Sequence, residues 1–312
     1  MEKVAFVFPG QGVQFVGMGK SLVEHKVFRD VFARAGGILN IDILSLCLKG
    51  PQAELDRTVN TQLAVLTYEV ALLETMRALN PLTPAVLAGH SLGEYSALYA
   101  SGSLGLEDVL KLVLARARRH ENGVPPGRAA MAAIVGITAD QVADLCRENS
   151  TEEEPVDLAN LNTPIQVVVS GHIRAVERVM DKSKEGGAKM AVLLQINAPC
   201  HCRLLKPASE LYRKDMENTT FKPFRVPVIP NCDPSLFYTE DNAKDLLRRQ
   251  IFSPVRWQET VERMTSLGIK TVLEIGPKRV LSGLIKNINK DIRLFYAGDA
   301  ETLLKAASAM TV

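Results

Sequence analysis

One pentapeptide limits what this chain can fold into more than any other stretch. Gly89-His90-Ser91-Leu92-Gly93 follows the apolar run Ala85-Val86-Leu87-Ala88 and opens the helical pattern Glu94, Tyr95, Ala97, Leu98, Ala100. A strand, then Gly-x-Ser-x-Gly, then a helix is the nucleophile elbow, in which the serine sits on a strained turn with its hydroxyl exposed. The glycines let the strand and helix backbones approach each other closely. The backbone N–H of Leu92, at the helix start, can then face a developing oxyanion and gains from the helix dipole. The plainer alternative is a glycine-lined turn that carries no chemistry.

The segments around the elbow fit a parallel sheet. Val4–Phe8 reads as a buried strand, Gly10-Gln11-Gly12 as a tight loop, and 61–79 as a helix with apolar residues at Leu63, Leu66, Val70 and Leu73. A further helix runs from about Leu106 to His120. Strands alternating with helices predict a mostly parallel sheet covered on both faces, as in α/β hydrolases. Val124-Pro125-Pro126-Gly127 then marks a boundary. Beyond it come a strand (Met131–Val135), a helix (Ala139–Arg147), two strands (Val156–Ala159, Gln166–Ser170), a helix (Ile173–Lys184) and a strand (Ala191–Ile196). That β-α-β-β-α-β order is the ferredoxin-like motif. The expected division is a large α/β hydrolase-like domain over 1–125 and 201–312, with a small ferredoxin-like domain over 126–200 inserted into it. Strands at Val226–Ile229 and Thr271–Ile275 would complete the large sheet.

Composition excludes several classes. Hydrophobic residues make up 46% and charged residues 23% of 312 residues, an ordinary globular balance. A net charge of +2, from 37 basic and 35 acidic residues, gives no bulk attraction to nucleic acid or to a membrane surface. No apolar run is long enough to span a bilayer, and the N-terminal residues from Met1 lack the features of a signal peptide. The five cysteines (Cys47, Cys146, Cys200, Cys202, Cys232) are odd in number and scattered, which fits a cytoplasmic chain with free thiols.

A serine hydroxyl needs a base within hydrogen-bond reach. His25 and His172 lie in or beside exposed helical patterns. His90 adjoins Ser91 and should point away from it, in support of the elbow. His120 ends a basic helix and can simply cap it. His201, in Ala198-Pro199-Cys200-His201-Cys202, stands where the chain re-enters the large domain, at the cleft where ligand sites collect. No acidic residue stands out to orient it. Cys-His-Cys has no second pair at zinc spacing, so no metal is expected.

With these motifs in view, the chain resembles the malonyl-CoA:acyl carrier protein transacylases of type II fatty acid synthesis over nearly its whole length. The resemblance rests on Phe8-Pro9-Gly10-Gln11-Gly12, Gly89 to Ala97, Arg116, Asn162 to Gly171, His201, Arg248-Arg249-Gln250 and Glu274-Ile275-Gly276-Pro277. It implies Ser91 as the acylated nucleophile and His201 as base and then acid. It also implies an oxyanion hole from the backbone N–H groups of Gln11 and Leu92, and a main-chain carbonyl at Gln250 that receives the other histidine N–H. It makes Arg116 the ligand of the free malonyl carboxylate, which a guanidinium fork matches in shape. The partners it implies are malonyl-CoA and acyl carrier protein, with no resident cofactor, no nucleic acid, no membrane and a monomeric enzyme. Because such carriers are acidic, a basic rim is expected from Lys182, Lys184, Lys189, Arg203, Lys206, Lys278 and Arg279. The chain departs from the family at Lys278 and Arg279, at His120, where methionine is usual, and at Cys200, where phenylalanine or serine is usual. A discrete acyltransferase serving a polyketide synthase, a related acyl hydrolase, and a silent carrier-binding module remain as alternatives.

Overall fold

In a computed structural model, which describes residues 3–196 and 198–310, the chain alternates strands and helices about two separate sheets. The expected outer bounds at residues 1 and 312 lie outside the described residues. The first part contains β1 (Val4–Phe8), α1 (Lys26–Leu39), α2 (Ile43–Lys49), α3 (Gln52–Leu55), α4 (Thr58–Leu79), β2 (Val86–Gly89), α5 (Gly93–Ala100) and α6 (Leu106–Glu121). The middle contains β3 (Ala129–Val135), α7 (Ala139–Asn149), β4 (Val156–Thr163), β5 (Gln166–His172), α8 (Ile173–Glu185) and β6 (Met190–Leu193). The last part contains α9 (Lys206–Asp215), β7 (Val228–Ile229), α10 (Ala243–Phe252), α11 (Trp257–Ser266), β8 (Thr271–Ile275), α12 (Leu281–Ile288), β9 (Arg293–Ala297) and α13 (Ala300–Ala309).

The large sheet has the order β7-β2-β1-β8-β9, and its paired strands are all parallel. Its central strands read as continuous apolar runs because helices cover both faces: β1 and β8 are buried along their whole length. Alternate residues feed two cores. Phe6 and Phe8 join the cluster under α4 and α5, while Ala5 and Val7 join one around Trp257 and Val261 of α11. The second sheet is antiparallel with the order β4-β5-β3-β6, as the β-α-β-β-α-β pattern predicts. Together the two sheets give an α/β fold with a small ferredoxin-like domain.

Three readings change. The helix expected from residue 61 begins at Thr58, and instead of one apolar stripe it is buried on nearly all sides, Thr61, Gln62, Thr67 and Glu69 included. The strand expected over Val226–Ile229 shrinks to Val228–Ile229, since Pro227 and Pro230 on either side carry no N–H to donate. The strand expected to reach Ile196 ends at Leu193. The sequence reading did not single out β9, an edge strand whose arginine and partly exposed residues mask its pattern.

Candidate active site

The elbow forms where β2 meets α5. Ser91 has φ 53°, the left-handed region, which a non-glycine residue occupies only when its surroundings hold it there. Those surroundings are explicit. A Cβ on Gly89 would lie 2.0 Å from the Gly93 carbonyl carbon, and one on Gly93 would lie 2.0 Å from Phe8 O, so neither position admits a side chain. Asn231, in the loop after β7, spans the turn: its Oδ1 accepts the Ser91 N–H at 2.6 Å and its Nδ2 donates to Gly89 O at 2.6 Å. The fully buried Glu94 in turn accepts the Asn231 N–H at 3.0 Å and the Tyr238 hydroxyl. Burial pushes the Glu94 carboxyl up to about 7, against the pull of these donors. The sequence reading missed Asn231, which lies 140 residues from Ser91.

The structure brings His201 to Ser91. His201 Nε2 stands 2.7 Å from Ser91 Oγ, and Nδ1 stands 2.8 Å from Gln250 O. A carbonyl oxygen can only accept, so Nδ1 carries the proton and donates, leaving the Nε2 lone pair for the serine O–H. His201 is itself left-handed at φ 63°, and its N–H donates to Ile251 O at 3.1 Å. Burial, then the nearby Arg116 charge, hold its pKa down to about 3, so the ring is neutral. The orienting acceptor is a main-chain carbonyl, which no residue-type pattern can display.

Arg116 is only 1% exposed. Its Nη2 donates to Ser91 Oγ at 2.9 Å and to Gln250 Oε1 at 3.1 Å, its Nε to the same Oε1 at 3.2 Å, and its Nη1 to Gln62 Oε1 at 2.8 Å. The guanidinium also lies 5.4 Å from the Tyr95 ring centroid. Among the described residues it forms no ion pair with a carboxylate. Gln250 does more than the sequence reading gave it: besides its carbonyl, its Nε2 donates to Ser91 O at 2.9 Å. Gln62 was also missed; it is one of several polar residues buried in α4, and nothing local marks it out. Gln11 lies in the turn after β1, alongside the elbow, since a Cβ on Gly10 would stand 2.6 Å from His90 O. Leu92 is the N-cap of α5.

The other histidines separate cleanly. The His90 ring nitrogen Nε2 is 2.8 Å from Asn162 Oδ1, and the ring meets Trp257 edge-on at 5.7 Å, in the supporting role expected of it. His120 does not cap its helix at the surface. It is fully buried, because α6 is covered there by the segment leading into His201, and its Nδ1 lies 3.3 Å from Cys200 Sγ. His172 is half-buried rather than solvated, beside Glu154. Several cations of the expected rim are already paired: Lys182 with Glu185 at 2.8 Å, Lys184 with Asp181 at 3.3 Å, and Arg203 with Asp157. Lys278 lies over the Phe15 ring at 5.5 Å.

A cavity of about 530 Å³ is lined by His201 together with Asp157, Arg203, Phe252 and Pro254 among others. No group of three or more metal-ligating side chains occurs among the described residues, and no single helix among them is long and apolar enough to cross a membrane.

Comparison with known proteins agrees with this geometry. The acyl transferase domain family matches residues 5–301. A malonyl CoA-acyl carrier protein transacylase of Bacillus subtilis (strain 168) is 40% identical over 304 residues, covering 97% of this chain and 96% of the relative. The structure of the malonyl CoA-acyl carrier protein transacylase from Coxiella burnetii superposes with a TM-score of 0.96 at 37% identity, covering 100% of this chain and 98% of the other. A malonyl-transacylase in complex with a type II polyketide synthase acyl-carrier protein does so with the same score and identity, covering 99% and 100%. The chain belongs to the acyl transferase domain family, among the malonyl-CoA:acyl carrier protein transacylases.

Proposed function

We propose that this chain moves the malonyl group from malonyl-CoA to the phosphopantetheine thiol of an acyl carrier protein, in fatty acid biosynthesis, through a malonyl ester on Ser91. The observation that carries the residue roles is the single hydroxyl shared by His201 Nε2 at 2.7 Å and Arg116 Nη2 at 2.9 Å. Ser91 Oγ attacks the thioester carbonyl while His201 Nε2 takes its proton. The carbonyl oxygen becomes an oxyanion facing the N–H groups of Leu92 and Gln11; the Ser91 N–H itself is committed to Asn231. The C–S bond breaks, and His201 returns the proton to the CoA sulfur. The carrier thiol then attacks the ester carbonyl, His201 accepting the thiol proton and giving it back to Ser91 Oγ.

Arg116 selects the acyl group. A buried cation whose donors reach only amide and hydroxyl oxygens gains most from a ligand that brings a carboxylate. Acyl hydrolysis gains nothing from that cation, which weighs against a hydrolase. Service to a polyketide synthase uses the same atoms, and the structural relative bound to such a carrier keeps that reading open. Transfer rates to fatty-acid and polyketide carriers separate the two. The chemistry needs no resident cofactor. Residues 126–200 form the small domain and 1–125 with 201–312 the large one, in a monomeric cytoplasmic enzyme with no nucleic-acid or membrane partner. Incubation with malonyl-CoA followed by intact-mass analysis tests the reading: a malonyl increment that carrier protein removes is expected, and an unmodified protein contradicts it.

A further inference from the structure

His120 sits one helical turn beyond Arg116 on α6, on the same face, and its ring centroid lies 6.3 Å from that of His201 at an interplanar angle of 80°. Its Nδ1 is 3.3 Å from Cys200 Sγ in a pair with Cys200 7% and His120 0% exposed. An imidazole lone pair is a strong acceptor and a thiol sulfur a weak one, so the S–H donates to Nδ1. Burial pushes the Cys200 thiol up to about 11, which keeps that proton on sulfur. With Nδ1 accepting, the ring proton of His120 is on Nε2. Burial, then the Arg116 charge, hold the ring neutral, well below the usual histidine range. The Nε2–H is therefore a buried donor, and it has no hydrogen-bond partner among the described residues. An unpartnered buried donor of this kind is destabilising and calls for an acceptor that the described residues do not supply.

We propose that His120 Nε2–H is a second donor to the free carboxylate of the malonyl group, beside the Arg116 fork, with the Cys200 thiol fixing the tautomer. The inference rests on the transfer reaction proposed above. Two donors from one helix face, one cationic and one neutral, then meet the two carboxylate oxygens. An acetyl group leaves both without a partner, so the pair sharpens discrimination against acyl groups that lack the charge.

The test is the ratio of kcat/KM for malonyl-CoA to that for acetyl-CoA. His120→Met keeps the bulk and removes the donor; the ratio should fall about 10- to 100-fold, the scale of a hydrogen bond to a charged group. His120→Gln places an amide N–H near the Nε2 position and should keep most of the ratio. Cys200→Ser retains a donor to Nδ1 and should match the parent, whereas Cys200→Ala should lower the ratio and add nothing to His120→Met in the double variant. If His120→Met does not fold, the Cys200→Ser and Cys200→Ala pair decides. An unchanged ratio in His120→Met, or equal loss in the Met and Gln variants, overturns the proposal. Failure of the parent to gain a malonyl group on Ser91 defeats the transfer reading itself, and an intact adduct with an unmoved ratio defeats only the role of His120.

Discussion

The two sheets of this molecule carry their polar groups in opposite ways. Around the elbow, polar side chains are buried and cross-linked: Asn231, Glu94, Gln250, Gln62 and Arg116 all hold others in place, and Ser91 and His201 are kept in left-handed backbone. The small domain is built the ordinary way. Its core is apolar, its helices α7 and α8 are amphipathic, and its charges pair at the surface, as in Lys182–Glu185. It meets the site's surroundings through Asn162 to His90, Asp157 to Arg203, and backbone pairing of residues 159–161 with Val255. Dense satisfied networks fix geometry at the cost of tolerance, while amphipathic packing tolerates change. The chemistry should therefore respond steeply to substitutions at the elbow and weakly to those in the small domain.

The steepest response expected is at His201. His201→Ala should lower the rate of acylation by about 10²–10⁴, the usual contribution of a positioned base, in stopped-flow release of CoA. A larger loss in a folded His90→Ala variant would reverse the assignment. Next comes Arg116→Ala, which should lower kcat/KM for malonyl-CoA by roughly 10²–10³ and that for acetyl-CoA far less, because only malonyl-CoA has a carboxylate to lose a partner. Arg116→Lys should rescue poorly, as an ammonium lacks the fork.

Acidity probes the same network. With His201 held at about 3 in the folded protein against an ordinary 6.5, the ring stays unprotonated far below neutrality, so the acid limb of kcat/KM should lie below the usual histidine range if His201 is the base. A bound malonyl carboxylate cancels the Arg116 charge that helps depress it, so the acid limb of kcat should lie at higher pH than that of kcat/KM. Coincident limbs would show that the two groups do not interact. The same depression makes the unfolded state bind more protons between these values. The contribution of His201 to stability is therefore full above about 6.5 and is lost as pH falls toward about 3.

How much of this was legible beforehand follows the same divide. The small domain was readable in the type and order of its elements, since period and turn chemistry decide amphipathic elements, although β4 runs on to Thr163 past the expected end at Ala159. The helix expected over Ala139–Arg147, for example, is α7, which the structure opens with a Thr138–Gln141 capping box. The elbow was readable because Gly89, Ser91 and Gly93 form a local pattern with a steric cause. Its supports were not. Asn231 and Gln250 act on Ser91 from 140 and 159 residues away, partly through main-chain atoms, and α4 hides its burial because packing on every side erases the stripe. His201 was singled out by its place at the re-entry point, and the carbonyl that accepts its Nδ1–H came only from the family resemblance.

The smallest effects belong to the small domain. Asn162→Ala removes one hydrogen bond to His90 and should cost about 1–3 kcal/mol of stability in denaturant titration, with less than about a tenfold change in rate. Charge reversal at Lys182, already paired on the surface with Glu185, should leave the melting temperature and the malonyl-CoA kinetics nearly unchanged. A large kinetic effect there would mean that the small domain takes a direct part in the reaction.

The central claim is that Ser91 carries the acyl group. Peptide mapping by mass spectrometry after brief exposure to malonyl-CoA should place a malonyl ester on Ser91, removed on adding acyl carrier protein and absent from a folded Ser91→Ala variant. A malonyl ester on any other residue, or one that persists in Ser91→Ala, would contradict the account.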